Sequence, residues 1–290
     1  MRSAESFCPG HVSCVFQPFG SLNHLAAGSR GLGIRISLGT RVSVTPDDGG
    51  QVTVYIDGEP SDASVTRAVV DLLAPGKGFV IRAENDLPVS QGFGTSASGA
   101  LATALCIASL EGISRQRALE VAHIADVVGG GGLGDVSAIV AGKHVPIRTV
   151  PGLPPYGHVD NAGFKIDNLT LGVVGPKLNT GSVLSDPGLT SVIRAAGSEA
   201  MDLFMENPTL ERMFEASNMF SEKTGLESPQ VHHATEKMRS RGYRAAMCML
   251  GNSFFTDAPV DVVRNALGRP NVRAYPCSSY GRELTVTRRG

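Results

Sequence analysis

The sequence predicts an α+β protein of two lobes. Three observations lead there: β-favouring runs fill the N-terminal part of the chain, helical periodicities alternate with strand-like runs after it, and a dense cluster of chain breakers lies near the midpoint. Strands, then helices, then strands again suit a sheet with helices gathered on it. At 290 residues the chain is long enough to bury a sizeable core in each half. No internal repeat or low-complexity segment interrupts it.

The elements follow in order. Runs at 12–16, 33–37, 41–45 and 52–56 favour strands, with turn signals at Pro46-Asp47-Asp48-Gly49-Gly50 and Asp57-Gly58 between and after them. Residues 61–73 have helical periodicity, and 78–82 read as a further strand. A glycine- and hydroxyl-rich stretch, Leu87 to Gly99, runs straight into small apolar residues at 100–110 that predict a helix. A second helix is expected over 114–128, with Ser114 as its N-cap, and Gly129-Gly130-Gly131-Gly132-Leu133-Gly134 ends it. Pro151-Gly152-Leu153-Pro154-Pro155 is the breaker cluster, readable as a linker or as a functional loop, and it divides the chain into 1–155 and 156–290. Beyond it, 169–174 resemble a buried strand. Helices are expected from Pro187, Leu210 and Pro229, the last capped by Ser228 and ended by Gly242. An apolar run at 245–250, a helix at 260–267 and a strand at 272–275 complete the chain.

Composition narrows the function. A hydrophobic fraction of 42% and a charged fraction of 18% are those of a soluble globular protein. A net charge of −1 leaves no basic footprint for nucleic acid or an anionic membrane. The longest apolar run, near residue 100, is too short for a membrane span and carries Thr103 and Ser109. The N-terminus lacks the charged-then-apolar pattern of a signal peptide. Five scattered cysteines without a CxxC pair suggest neither a disulfide framework nor a zinc site, and read as buried thiols in a reducing cytoplasm. Of the 26 basic residues 20 are arginine, which suits anion-binding positions and equally suits a compositional bias. A small-molecule partner is expected.

The stretch from Leu87 to Gly99 carries the chemistry. A flexible loop entering a helix N-terminus presents unpaired backbone N–H groups and a dipole that favours negative charge, so a phosphate is its natural guest. Three phosphate loops compete. The Walker pattern GxxxxGK[ST] is missing, since Gly142-Lys143 is followed by His144. Gly92-Phe93-Gly94-Thr95-Ser96-Ala97 fits the loose dinucleotide pattern, but that pattern needs a strand directly before its first glycine. Here the strand ends near Arg82, and Asp86, Pro88, Ser90 and Gln91 intervene. The third loop, P-x-x-x-G-L-G-S-S-A, is met by Pro88-x-x-x-Gly92-Phe93-Gly94-Thr95-Ser96-Ala97 with Phe for Leu and Thr for the first Ser.

That loop resembles the phosphate loop of the GHMP kinases. The resemblance extends to Pro9-Gly10-His11-Val12 near the N-terminus, to Gly132-Leu133-Gly134-Asp135-Val136-Ser137-Ala138, and to an acid, Asp126, near the end of the preceding helix. The glycine-rich third motif of the family is reduced to Met249-Leu250-Gly251-Asn252-Ser253. The resemblance implies a two-lobed fold, with an N-terminal ribosomal-S5-domain-2-like ATP-binding lobe over 1–155 and a ferredoxin-like C-terminal lobe over 156–290. It also implies roles. ATP phosphates would lie against Pro88, Ser90, Gly92, Phe93, Gly94, Thr95, Ser96, Ala97 and Ser98. Mg²⁺ would be held by Ser96 and Asp126, and Asp135, placed before a strand in the family, would take the proton of the acceptor hydroxyl. The family's metal acid is generally glutamate, so the shorter Asp126 implies a metal held through water or a closer helix.

A finer resemblance is to the archaeal-type pantoate kinase branch, carried by Pro9-Gly10-His11, Gly28-Ser29-Arg30-Gly31-x-Gly33, Ser90-Gln91-Gly92-Phe93-Gly94, Gly132-Leu133-Gly134-Asp135-Val136 and the variant third motif. It implies ATP-dependent formation of 4-phosphopantoate in coenzyme A biosynthesis, in a cytoplasmic homodimer. Two other readings stand beside it: a GHMP kinase for mevalonate, homoserine or a similar alcohol, and a regulator of GHMP fold that binds a small molecule without turnover. Ser96, an acid at 126 and Asp135 together favour turnover. Pantoate's carboxylate calls for a cation, for which Arg30 and Arg148 are candidates; each reads equally as a surface arginine. His11 suits a substrate hydrogen bond or a structural role. Lys177 and Thr180 lie on a segment expected to close over the site, whereas the adjacent pair His232-His233 reads as helix surface.

Overall fold

The computed structural model describes residues 2–130, 133–178 and 186–290. Their first sheet has eight strands: β1 (Ser3–Phe19), β2 (Gly28–Asp47), β3 (Val52–Ile56), β4 (Glu59–Pro60), β5 (Gly78–Asn85), β6 (Pro146–Val150), β7 (His158–Asn161) and β12 (Thr285–Arg289). They run in the order β12-β1-β2-β5-β3-β4, with β6 pairing both β2 and β7. Every pair is antiparallel except β3 with β5, which are joined through α1 (Ser64–Leu73). Helices α2 (Thr95–Glu111), α3 (Arg115–Val128) and α4 (Asp135–Val140) complete this lobe. The run of small apolar residues in α2 has no polar face, and the helix is accordingly buried nearly all round, against the sheet, α1 and α3. Ser114 caps α3 as expected, accepting the Arg117 N–H at 3.2 Å.

The second sheet holds β8 (Leu169–Val173), β9 (Ala245–Met247), β10 (Ser253–Thr256) and β11 (Arg273–Cys277) in the order β11-β8-β10-β9, all antiparallel. Numbered within the lobe this is 4-1-3-2, the order of the ferredoxin-like fold. Helices α5 (Pro187–Glu206), α6 (Leu210–Thr224), α7 (Pro229–Arg239) and α8 (Val260–Leu267) pack with it. Among the described residues no helix is long and apolar enough to cross a membrane. The expected α+β class with two lobes is what the chain forms. The path also returns to the first sheet after the midpoint breakers, first as β7 and finally as β12.

Several expectations about single elements are corrected. The strands expected at 33–37 and 41–45 are one continuous β2, because Gly39 does not turn the chain. It lets β2 approach β1 so closely that a Cβ there would lie 2.1 Å from the Cys8 carbonyl oxygen. The strand expected at 12–16 is the inner part of β1, which extends over Ser3–Phe19. The breaker cluster at 151–155 is the connection between β6 and β7, and neither strand is visible in the local pattern. Asp135 precedes no strand directly; it opens the short α4.

Two features place the site. The first is a register slip: Pro9 of β1 faces Gly39 of β2 whereas His11 faces Arg35, so the intervening part of β2 bulges and pairs with residues 278–280 instead. The second is that β1 serves two cores. Its outer half, with Ala4 and Cys8, packs under α1, α2 and α3, and its inner half, with Val12, Cys14, Val15 and Phe16, packs with the second lobe. That second core is centred on aromatic rings, with Phe254 fully buried over Gly172 and Phe255 5.0 Å from Phe214. Phe254→Ala is expected to cost about 3–5 kcal/mol of stability. Urea denaturation should show a lowered midpoint with an unchanged slope.

Candidate active site

The glycine-rich loop takes the conformation its composition allows. Gly92 and Gly94 have φ of +74° and +65°, and Ser90 joins them at 61°. Gly94 is the N-cap of α2 and offers no side chain, so the first amides of the helix, from Thr95 onward, are left for a ligand. The loop is seated on β1 at the register slip. His11 N–H donates to the Phe93 carbonyl at 3.0 Å, and the Ser98 hydroxyl donates to the Pro9 carbonyl at 2.8 Å. A Cβ on Gly94 would stand 3.0 Å from the His11 carbonyl oxygen. The Pro9-Gly10-His11 segment and the phosphate loop are therefore a single packed unit.

A cavity opens on one side of the loop. Ser90, Gly92 to Ser96, Gly134 and Asp135 line it, with Ser13, Phe16 and Ser29 from the first sheet and Met249 and Leu250 from the second lobe. A second cavity lies between Ala63–Thr66, Thr40, Asn85 and Val89 and shares Ser90, Thr95 and Ser96 with the first. The loop thus forms a partition between two compartments, with the free helix amides on the dividing wall.

Asp135 is held from behind. Its Oδ1 lies 2.7 Å from His11 Nδ1, and His11 Nε2 lies 3.2 Å from a terminal nitrogen of Arg148. Arginine only donates, so Nε2 accepts and the ring proton sits on Nδ1, directed at the carboxylate. His11 is fully buried, and burial lowers its pKa against the opposing pull of Asp135, which keeps the ring neutral. Arg148 is 1% exposed, and burial brings its pKa down to about 10. It also donates to the Ser29 carbonyl at 3.3 Å and lies 3.5 Å from the Ser13 hydroxyl.

Three glycines make room for this pair. A Cβ on Gly33 would lie 2.2 Å from His11 Nε2, on Gly31 2.7 Å from Arg148, and on Gly134 2.6 Å from Arg148 Nε. Asp126, in the last turn of α3, is 1% exposed with Oδ1 lacking a hydrogen-bond partner. Burial first, and then the charge of Asp135, raise its pKa well above the usual carboxylate range. One turn earlier, buried His123 donates from Nε2 to the Ala27 carbonyl at 3.0 Å.

The expected residues are thus brought together unevenly. Ser90, Gly92 to Ser96 and Asp135 line one cavity, and His11, Arg148 and Asp126 lie behind its wall. Pro88, Ala97 and Ser98 shape the loop from below or from its entry. Arg30 is half-buried, opposite Gln17 in the β1–β2 pair, and is not among the residues lining the cavity. Lys177 is exposed, and Thr180 and Gly132 lie outside the described residues. Sequence reasoning missed Ser13, Ser29, Gln91 and His123; the alternating Gly31 and Gly33 were the signal that something large approaches that strand face.

Against this geometry, residues 63–143 match the profile of the GHMP kinases N terminal domain. Over 264 residues the chain is 35% identical to a pantoate kinase of Thermococcus kodakarensis, covering 87% of this chain and 86% of that one. The chain belongs to the GHMP kinase family. A pantoate kinase of Methanocaldococcus jannaschii is 27% identical to this GHMP kinase, over 90% of it and 95% of the relative. A solved structure described as a phosphotransferase related to the coenzyme A biosynthesis pathway superposes with a TM-score of 0.87 at 29% identity, covering 98% of both chains. The family's ATP-dependent phosphotransfer accounts for the partitioning loop.

The glycine at 134 gives a test that leaves every polar group in place. Its φ of −136° suits any residue, so Gly134→Ala acts only by driving a methyl into Ser29 Oγ and Arg148. Displacing Asp135 and its support by a fraction of an ångström is expected to lower kcat/KM by about a hundredfold. Steady-state kinetics beside an unchanged far-UV circular dichroism spectrum would check it.

Proposed function

We propose that the protein transfers the γ-phosphoryl group of ATP to the primary hydroxyl of pantoate, giving 4-phosphopantoate for coenzyme A synthesis. One observation carries the reading: the phosphate loop and Asp135 face each other across a single cavity, in a chain 35% identical to a pantoate kinase. The lobe over 1–155 supplies every polar group the chemistry needs, and 156–290 adds the apolar wall at Met249 and Leu250. The adenosine end of ATP occupies the compartment beside Ala63–Thr66, and pantoate occupies the one beside Asp135. The phosphates lie along the amides of Gly92 to Ala97, where the dipole of α2 favours their charge; the Ser98 N–H is spent on the Gly94 carbonyl.

In the transfer, the acceptor oxygen bonds to the γ-phosphorus, the bond to the β–γ bridging oxygen breaks, ADP leaves, and the hydroxyl proton passes to Asp135. One oxygen of Asp135 is engaged by His11, which turns the other toward the acceptor. A neutral His11 orients the carboxylate through its Nδ1–H and leaves the second oxygen to take the hydroxyl proton. Arg148 serves the pantoate carboxylate. It touches Ser13, Ser29 and Gly134, all of which line the cavity, and its hydrogen bonds of 3.2–3.5 Å are long enough to yield to a better acceptor.

Mg²⁺ fits this site on one observation: Asp126 keeps a buried oxygen without a hydrogen-bond partner, close enough to Asp135 to feel its charge. Asp126 and the Ser96 hydroxyl would hold it. When bound it neutralises charge on the phosphate oxygens during transfer.

Three outcomes test the proposal. With Mg²⁺ and ATP, ADP release should be fast with pantoate and slow with mevalonate or homoserine, and a reversed preference overturns the acceptor. Asp135→Asn should lower kcat by about a hundredfold or more, the scale of a lost general base. Arg148→Met should raise KM for pantoate by about ten- to a hundredfold, the worth of a charged hydrogen bond, with KM for ATP little changed. A raised KM for ATP alone would remove Arg148 from the acceptor site.

A further inference from the structure

In place of a glycine-rich loop the second lobe offers Met249-Leu250-Gly251-Asn252-Ser253, and these residues meet the phosphate loop at one side chain. Gln91 is 1% exposed. Its Oε1 accepts the Asn252 backbone N–H at 3.0 Å, and its Nε2 donates to the Gly175 carbonyl at 3.1 Å. Its own carbonyl accepts the Ser253 hydroxyl at 2.6 Å. The Asn252 side chain donates to the Pro176 carbonyl at 2.8 Å, and Leu178 N–H donates to the Ser90 carbonyl at 3.1 Å. One amide thus joins the phosphate loop to two turns of the other lobe, 174–178 and 249–253.

The joint is tight and strained on both sides. A Cβ on Gly251 would lie 2.2 Å from the Gln91 carbonyl oxygen, and one on Gly92 would lie 2.6 Å from the Met249 carbonyl oxygen. Ser90 and Leu250, one on each side, have φ of 61° and 64°, a region that side-chain-bearing residues hold only when their surroundings impose it. Both residues line the cavity beside Asp135. The backbone N–H of Asn252 is spent on Gln91, so it is not free to meet a phosphate.

We infer that Gln91 is a positioning residue for nucleotide binding: its amide locks the loop at 90–94 against the second lobe, in the left-handed conformation that aims the α2 amides at the phosphates. The third motif then acts as a brace for the loop. This rests on the nucleotide role proposed for the loop, and on nothing about the acceptor.

Gln91→Met keeps length and bulk and removes both side-chain hydrogen bonds, and Ser253→Ala removes the third bond without touching the loop. Binding of a non-hydrolysable ATP analogue with Mg²⁺, measured by calorimetry without any acceptor, should weaken by about tenfold or more in Gln91→Met and by a smaller factor in Ser253→Ala. In turnover, KM for ATP should rise in the same order while KM for the acceptor stays within about twofold. Equal rises in both KM values would mean a merely structural role and overturn the inference, as would Gln91→Met binding the analogue like wild type. If Gln91→Met does not fold, Ser253→Ala decides alone, and wild-type affinity there overturns the brace. Failure of the wild-type protein to bind the analogue would instead overturn the nucleotide role of the loop.

Discussion

A hydrogen-bonded line from Arg148 through His11 to Asp135 is the interaction around which the rest is arranged. Burying a guanidinium and an imidazole beneath the Asp135 carboxylate is costly unless each donor meets an acceptor. The fold meets that demand with backbone as much as with side chains. The slip between β1 and β2 sets His11 under the phosphate loop, and Gly31, Gly33 and Gly134 vacate the volume that the imidazole and the guanidinium occupy. The same slip frees the backbone of His11 to hold Phe93, so the seat of the phosphate loop and the support of Asp135 are one piece of strand.

The phosphate loop was legible in the sequence because its constraints are local. Glycines at 92 and 94, a helix start without a capping side chain, and hydroxyls beside it are all set within one short stretch. Asp135 was legible for the same reason, through the glycine before it. His11 and Arg148 were visible only as candidates, since their relation runs across 137 positions of chain and depends on strand register. Arg30 and Arg148 looked alike in sequence. They differ because β2 carries Arg30 opposite Gln17, away from the cavity lining, whereas β6 brings Arg148 alongside Gly31.

The strands that were missed have two causes. β6, β7, β10 and β12 are short, and partners far away in sequence settle their conformation more than their own residues do. β4 is only a two-residue return alongside β3. The longer helices were found because 3.6-residue periodicity and caps such as Ser114 and Ser228 are carried within the element itself; the six-residue α4 is too short to show a period and was missed. Gln91 belongs with the strands. Its side-chain partners lie 84 and 161 residues along the chain, and no local pattern distinguishes it from an ordinary loop glutamine.

The pairing of β12 with β1 sets Ser3 beside Arg289 and Phe7 beside Thr285 on one edge of the first sheet. The Ser6 hydroxyl donates to the Thr285 carbonyl across 279 positions of chain. This edge of the first sheet is therefore closed only when residues 285–289 pair, and the first core, which includes Leu284, is completed with it.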